Sequence, residues 1–320
     1  MTAVAAIDGG KSGLRIRVAT EHGEVDGSGP GFVYAGASED DSAVLTAVNA
    51  AVAEARGRLQ GDSLDRLEAV AVGLTGIPGD PHERRALRMA LESTLTAPVT
   101  LVDDALLAHA GAVAGPGTVV SAGTGTIVLA ISEDGESRSF DGWGPSLGDR
   151  GSAHAIGLAG MRAATAAQDR VGPATRLVVD LADALGGDTS LAALQRFYRS
   201  DSTVVLVSSF AVRVAQAAEN GDKVAKGILA GAAQDLAATI AVAAAHAPQQ
   251  PISYAGRLLH ENSMLRGLVA TRLDDVGLIL GTPLGDALAG GIRLARGVSG
   301  VPEMAAYQRV VDGWGAVPAC

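Results

Sequence analysis

The chain has 320 residues, of which 48% are apolar and 19% are charged, so it carries enough hydrophobic surface for the cores of two ordinary domains. Acidic residues outnumber basic ones 35 to 25, and the net charge of −10 excludes a basic surface for nucleic acid at the level of the whole chain. The single cysteine, Cys320, excludes an intrachain disulfide, a zinc site built on thiolates and a cysteine-ligated iron–sulfur cluster.

The N-terminal residues predict no targeting segment. Residues 1–8 contain no basic region, and Gly9 and Gly10 follow before an apolar stretch reaches the length of a signal peptide. The longest nearly apolar run, residues 236–245, is shorter than the roughly 20 residues that cross a bilayer. We therefore predict a soluble, cytoplasmic protein without a membrane partner.

The first predicted element is a β-hairpin with a glycine-rich tip. Residues 4–7 favour a strand, residues 8–13 read Asp-Gly-Gly-Lys-Ser-Gly, and residues 14–18 alternate with the period of a returning strand. The elements that follow alternate between helices at 43–59, 81–95 and 105–113 and buried strands at 67–74 and 99–102.

The opening pattern returns after a predicted linker at 115–117. A strand at 118–122, a glycine–threonine tip at 123–126 and a strand at 127–131 form a second hairpin of the same kind. Residues 153–245 are mainly helical, and two strand–turn–helix elements follow near the end, with their strands at 252–254 and 278–280.

Both hairpin tips are suited to bind phosphate. Glycines and small hydroxyl residues expose backbone N–H groups and let a polyphosphate approach without Cβ collisions. The candidate phosphate ligands are Gly9, Gly10, Lys11 and Ser12 in the first tip and Gly123, Thr124, Gly125 and Thr126 in the second. For the first tip alone, a tight turn with a solvent-facing lysine explains the pattern equally well. Neither tip has the spacing of a P-loop or of a Rossmann dinucleotide site.

Two acids, Asp103 and Asp104, follow a predicted strand, at the end where active sites of open α/β sheets gather. A carboxylate at this place can accept a proton from a hydroxyl nucleophile. An acid at the start of the next helix can also serve as its N-cap. Because there are two acids, the catalytic and the capping interpretations can hold together.

Residues 140–152 combine Trp143 and Asp149 with four glycines, a composition that suits a polyol ring. The Gly144-Pro-Ser-Leu-Gly148 run within it formally matches a hydrolase nucleophile elbow. It lacks the flanking strand and helix that such an elbow requires. The six histidines show no metal-binding spacing, and only His154 is close enough to this strip to line a pocket.

Together, and in this order, these segments resemble the BadF/BadG/BcrA/BcrD ATPase family, in its N-acetylglucosamine and glucosamine kinase branch within the actin-like superfamily. The similar motifs are Asp8-Gly-Gly-Lys-Ser12 and Ser121-Ala-Gly-Thr-Gly-Thr126 for phosphate, Val102-Asp-Asp-Ala105 for the catalytic aspartate, Gly142-Trp-Gly-Pro-Ser-Leu-Gly-Asp-Arg-Gly-Ser152 for sugar, Tyr254-Ala-Gly256 for adenosine and Pro283-Leu-Gly285 near the end.

The resemblance implies an α/β fold of two RNase H-like, actin-like lobes with an ATP and sugar cleft between them. The first lobe would span residues 1–113 and be completed by residues 298–320, which include a helix at 302–313. The second lobe would span 114–297. The expected substrates are ATP and a small-molecule sugar, and the resemblance says nothing decisive on a homodimer.

The resemblance also implies roles for residues. Asp104, preferred over Asp103 on this ground, would be the general base for the 6-hydroxyl of an amino sugar, and Asp8 would bind Mg²⁺ through water. Adenosine would contact Gly256 and Arg257. The implied sugar ligands are Gly76, Asp104, Gly142, Trp143, Gly144 and Asp149.

The sequence departs from the family pattern at several positions. Lys11 replaces the third glycine of the first motif, and Gly13 replaces its usual lysine. Phe32 or Val33 lies where such kinases tend to carry a sugar-binding asparagine. Arg150 replaces a glutamate beside Asp149, and its charge predicts an uncharged or N-acylated sugar rather than glucosamine unless the side chain points away.

Other functions stay open at this stage. They are a nucleotide or sugar sensor that transfers no phosphoryl group, and a kinase for another acceptor, such as glucose or a carboxylate. Because the chain has a single cysteine, Cys320, it does not match the iron–sulfur activators of the same family, which hold their cluster through several cysteines. The missing cysteine-rich zinc element argues against the ROK sugar kinases.

Overall fold

The computed structural model of the chain describes residues 3–11, 13–32, 40–59, 67–200, 203–297 and 305–315. In these residues it has two mixed β-sheets flanked by helices, which confirms the predicted α/β class. The first sheet has the strand order β3-β2-β1-β4-β5 and the second the order β8-β7-β6-β9.

The first sheet and its helices come from the N-terminal third of the chain. Its strands are β1 Ala3–Gly10, β2 Gly13–Thr20, β3 Gly23–Gly29, β4 Leu67–Leu74 and β5 Val99–Asp103. The helices are α1 Asp40–Arg58, α2 Pro81–Leu95 and α3 Asp104–Ala112.

The second sheet and a helical layer follow. Its strands are β6 Gly117–Ala122, β7 Thr126–Ile131, β8 Ser137–Asp141 and β9 Ile252–Ala255. The helices are α4 Ala153–Gln168, α5 Leu177–Ala184, α6 Leu191–Arg199, α7 Thr203–Glu219, α8 Lys223–Ala244, α9 Arg257–Glu261, α10 Ser263–Asp274, α11 Ala287–Ala295 and α12 Ala305–Gly315. The predicted strand at 278–280 is wrong, since Leu280 forms only an isolated bridge with Ile252.

The strand register places the predicted site residues on one edge of the first sheet. Strands β1, β4 and β5 run parallel, and Gly9 pairs with Leu74, which in turn pairs with Asp103. The carboxyl ends of these three strands therefore meet, and the residues that follow them are neighbours in space. In the second sheet, parallel pairing of Ser121 with Ala255 likewise brings the ends of β6 and β9 together.

Each sheet has its own hydrophobic core. Helix α2 begins at the N-cap Asp80 and buries Leu87, Leu91 and Leu95, one turn apart, against the first sheet. In the second lobe, α8 is central. By length and composition this helix would be able to cross a membrane, which the sequence analysis did not predict. It packs against α7 and α10, and its buried face belongs to the core, as expected for a core helix.

Helices α3 and α11 cross closely next to the first sheet. Gly290 is essential for this crossing, because a Cβ at this position would lie 2.0 Å from the carbonyl oxygen of Leu107. Helix α11 lies in the range predicted for the second lobe, yet it packs against β1 and β4 of the first sheet. Helix α12 adds Tyr307 and Val310 to the hydrophobic cluster that α3 and α11 form beside the first sheet. Residues 298–304 and 316–320 lie outside the described residues.

Candidate active site

The first glycine tip is packed tightly against the end of β4. A Cβ on Gly10 would lie 2.5 Å from Oγ1 of Thr75, so a side chain at this position would displace that hydroxyl. Lys11 is exposed at the turn, where its ammonium group is free to move toward a bound anion. Ser12, the fourth predicted phosphate ligand of this tip, lies outside the described residues.

The two neighbouring acids have different tasks. Asp103 is the N-cap of α3, and its carboxylate accepts the backbone N–H of Ala105 at 2.9 Å, so the capping interpretation of this residue is confirmed. Asp104 begins the helix and is partly buried, and its Oδ2 accepts a hydrogen bond from the Thr75 hydroxyl. Burial and then the charge of Asp103 raise the pKa of Asp104 to about 7. A carboxyl with this pKa takes up a proton readily at neutral pH.

Asp8 lies close to Asp104 but is held by a cation. Arg15 donates to its carboxylate at 2.6 Å, while burial, Asp104 and Asp286 disfavour its negative charge, and the pKa of Asp8 is raised. A cation near Asp8 would therefore be favourable. Within the described ranges no group of three or more acidic, histidine or cysteine side chains is able to hold a metal. Asp8 is thus a single carboxylate paired with Arg15, and its magnesium role stays a prediction.

The second tip is fixed by helix α4. Its Ala153 N–H donates to the Gly123 carbonyl at 2.9 Å, and the His154 N–H donates to the Thr124 carbonyl at 3.2 Å. The tip carbonyls are therefore occupied, whereas Oγ1 of Thr126 is buried without a partner in the described part of the chain. An unpartnered buried hydroxyl is costly, and Oγ1 of Thr118 is unpartnered in the same way.

Asp149 connects this tip to the glycine loop, which we define as residues 142–151. The side chain is buried, and its carboxylate accepts backbone N–H groups of Thr126 and Gly144. A Cβ on Gly125 would lie 2.7 Å from Oδ2 of Asp149, so glycine is required at this contact. Burial raises the pKa of Asp149 despite these bonds. His154, whose pKa is lowered by burial, lies near enough to favour the charged form of Asp149.

Sequence reasoning missed Asp141, whose side chain is fully buried beneath the glycine loop. Its two carboxylate oxygens accept the backbone N–H groups of Asp149 and Arg150, each at 2.8 Å. The guanidinium of Arg150 lies 3.7 Å from the same carboxylate. The guanidinium of Arg150 thus faces Asp141, which weakens the sequence-based argument that this cation disfavours glucosamine. No local pattern distinguishes Asp141, because its partners lie eight and nine residues further along.

The other predicted sugar ligands are accessible. Trp143 is 70% exposed between Gly142 and Gly144, which both have positive φ angles, so its indole is free to cover a ring. Gly76, beside Thr75, has open space around it. Phe32 belongs instead to the first-lobe core, and Val33 lies outside the described residues. Phe32 therefore packs in the core and offers no polar group to a sugar.

The predicted adenosine residues lie at the end of β9. A Cβ on Gly256 would lie 2.2 Å from the Ala122 carbonyl oxygen, so β9 approaches the second tip as closely as a glycine allows. Arg257 begins α9, is highly exposed and pairs with Glu261 at 2.9 Å. The predicted ligands of the first tip, with Asp104, therefore lie at the edge of the first sheet. Those of the second tip, with Gly256, lie at the edge of the second sheet, so each lobe contributes one group.

The sequence pattern of the BadF/BadG/BcrA/BcrD ATPase family matches residues 6–273. The chain belongs to this family. Because the family is one of ATPases, the prediction of ATP use is confirmed at this level.

Individual members and neighbours extend the picture. An N-acetylmuramic acid/N-acetylglucosamine kinase from Clostridium acetobutylicum is 30% identical over 240 residues, which cover 74% of this chain and 77% of the relative. A structure from Chromobacterium violaceum, described as a candidate N-acetylglucosamine kinase, is 27% identical with a TM-score of 0.71 and covers 91% of this chain and 98% of its own.

A more distant structure supports the fold alone. A ROK family glucokinase from Streptomyces griseus, solved with glucose and AMPPNP, is 18% identical with a TM-score of 0.58 and covers 92% of this chain and 99% of its own. These likenesses confirm the predicted actin-like fold of this family member.

Proposed function

We propose that this BadF/BadG/BcrA/BcrD family member is an ATP-dependent hexosamine kinase that phosphorylates the 6-hydroxyl of an N-acylated amino sugar such as N-acetylglucosamine. The observation that carries the proposal is the position of Asp104, a partly buried acid at the first sheet edge whose Oδ2 is held by the Thr75 hydroxyl. The names of the similar kinases support the substrate class. A cytoplasmic location stays a prediction, and the oligomeric state stays open.

The reaction uses Asp104 as general base. Its carboxylate takes the proton of the sugar hydroxyl while that oxygen attacks the γ-phosphorus of ATP, the bond from this phosphorus to the β,γ-bridging oxygen breaks, and ADP leaves. The pKa raised by burial makes Asp104 a better proton acceptor than an ordinary surface carboxylate. The gain is limited to pH values at which the residue is still ionised.

The glycine tips bind the triphosphate. Residues 9–11 of the first tip and 123–126 of the second are assigned to the phosphates, whose negative charge the exposed Lys11 would offset. Gly256 and Arg257 are assigned to the adenosine. Asp8 would hold Mg²⁺ through water, and this ion supplies charge neutralisation on the phosphates.

The sugar is assigned to the glycine loop and to the space beside Gly76. Asp149 retains acceptor capacity for sugar hydroxyls beyond its two backbone bonds, and the Trp143 indole offers an apolar wall. The preference for an N-acyl group rests on the similar kinases and no longer on the charge of Arg150, because that charge faces Asp141.

Release of ADP with a panel of sugars tests the proposal. N-acetylglucosamine, N-acetylmuramic acid, glucosamine and glucose are compared with a reaction that contains no sugar. We expect the highest kcat/KM for an N-acylated sugar. Absent turnover by a protein that still binds ATP would instead support a sensor, and ADP release independent of sugar would show hydrolysis without a sugar acceptor.

A pair of matched variants tests the base. Asp104→Asn should lower kcat by about 10² or more, the scale of a lost general base, with little change in ATP affinity. Asp103→Asn is its control, because asparagine caps a helix as well as aspartate does and the change removes only the neighbouring charge. Equal activity of the two variants would refute the assignment of Asp104.

A further inference from the structure

Thr75 connects the first phosphate tip to the acid that the proposed mechanism uses. It follows the last residue of β4, and its backbone N–H donates to the Gly9 carbonyl at 2.9 Å. Its hydroxyl donates to Oδ2 of Asp104 at 2.5 Å. One residue is therefore bonded to the tip through its backbone and to the acid through its side chain.

The surrounding backbone fixes this position. The register that aligns Gly9, Leu74 and Asp103 places Thr75 between the tip and the start of α3. Gly76, with a φ of +71°, turns the chain away directly afterwards. Because residue 10 is a glycine, no Cβ occupies the space beside the Thr75 hydroxyl, and one built there would lie 2.5 Å from its Oγ1. The direction of the Thr75 side chain toward Asp104 is thus a result of the sheet, and not of local sequence.

We propose that Thr75 is a positioning residue whose hydroxyl holds Oδ2 of Asp104 and thereby directs the other carboxylate oxygen, Oδ1, to the sugar hydroxyl. This inference rests on the role proposed for Asp104. A hydrogen bond to a carboxylate also favours its ionised form. The bond from Thr75 is one of the influences that lower the pKa of Asp104, against burial and the charge of Asp103.

The pH dependence of kcat/KM separates this role from a structural one. Valine keeps the shape of Thr75 but removes the hydroxyl. Thr75→Val should therefore move the acidic limb of the kcat/KM profile, where activity falls as the pH is lowered, upward by about one to two pH units. At pH 7 the same variant should lose about tenfold or more in kcat/KM, while the KM for ATP changes little. Thr75→Ser, which keeps the hydroxyl, should restore the limb to within a few tenths of a pH unit.

A change on the other side of the contact provides an independent test. Alanine at Gly10 would displace the Thr75 hydroxyl, so Gly10→Ala should also move the acidic limb upward. Gly57→Ala in α1 is the control, because a Cβ there has no atom within 4 Å. This second variant keeps the inference testable if Thr75→Val fails to fold, which thermal melting would reveal.

The outcomes distinguish the two proposals. An unshifted limb in a folded Thr75→Val protein, together with an inactive Asp104→Asn protein, would overturn the role of Thr75 and leave the proposed base intact. If Thr75→Val does not fold, an unshifted limb in Gly10→Ala would overturn it. Full activity of Asp104→Asn would overturn both proposals. A shifted limb that serine restores would support both.

Discussion

The crossing of α3 and α11 offers a sharp test of the packing, through the variant Gly290→Ala. A Cβ at this position would lie 2.0 Å from the Leu107 carbonyl oxygen and 2.4 Å from the Gly111 nitrogen. Ordinary contacts of a Cβ begin at 3.4 Å. Both atoms are backbone and have no rotamer to adopt, so the two helices must separate by more than 1 Å, the difference between these distances.

The expected loss follows from two opposing effects. Alanine favours a helix interior by about 1 kcal/mol over glycine. Overpacking typically costs about 1–3 kcal/mol, and a clash with two backbone atoms belongs at the upper end. The net loss is therefore about 2 kcal/mol, which corresponds to about 4–8 °C in melting temperature for a domain of 150–250 residues.

Thermal melting followed by calorimetry measures this loss. Gly231→Ala in α8 is the matched control, because it also lies within a helix but has no atom within 4 Å of the added Cβ. It should melt at the wild-type temperature or slightly above. The reasoning would be refuted if Gly290→Ala melted as high as Gly231→Ala.

Three further predictions concern ionisable groups. The kcat/KM for N-acetylglucosamine should fall about tenfold per pH unit well below pH 7 as Asp104 takes up a proton, and a flat profile from pH 5 to 7 would contradict the assignment. Burial lowers the pKa of His109 to about 4, so this imidazole takes up a proton at a higher pH in the unfolded protein than in the folded one. The free energy of unfolding therefore falls as the pH falls from about 6.5 to about 4. Between pH 7.5 and pH 5 the free energy of unfolding falls by about 2 kcal/mol through this residue. Urea unfolding of His109→Gln should show a loss over the same pH range that is smaller than the wild-type loss by that amount. Asparagine at position 141 tolerates the positive φ but lacks the charge that accepts the two loop N–H groups. Asp141→Asn should therefore raise the KM for sugar about tenfold and leave the KM for ATP nearly unchanged. An unchanged sugar KM would show that Asp141 does not position the glycine loop.

Much of the fold was predictable because its signals are local. The alternation of residues 14–18 and the glycine tips predict the two hairpins, and the charged and apolar periodicity of 81–95 predicts α2 with the bounds that the structure has. The order of the motifs predicts the family. The hairpin and helix patterns depend on residues a few positions apart, whereas the family depends on motifs spread from residue 8 to residue 285.

The arrangement within the site depends on contacts between distant residues. Asp104 and Thr75 are 29 positions apart and meet only because β4 and β5 pair in one register. The buried Asp141 receives its partners from the fold of the loop above it.

The sequence by itself determined the two hairpins, helix α2, the family and the acids at the strand end. Only the tertiary structure decided which acid caps α3, which hydroxyl contacts Asp104, and that α11 returns to the first sheet. The physical reason is that strand register and helix crossing are set by side-chain volume and hydrogen bonding between segments far apart in the chain. No short window of sequence contains both partners of such a contact.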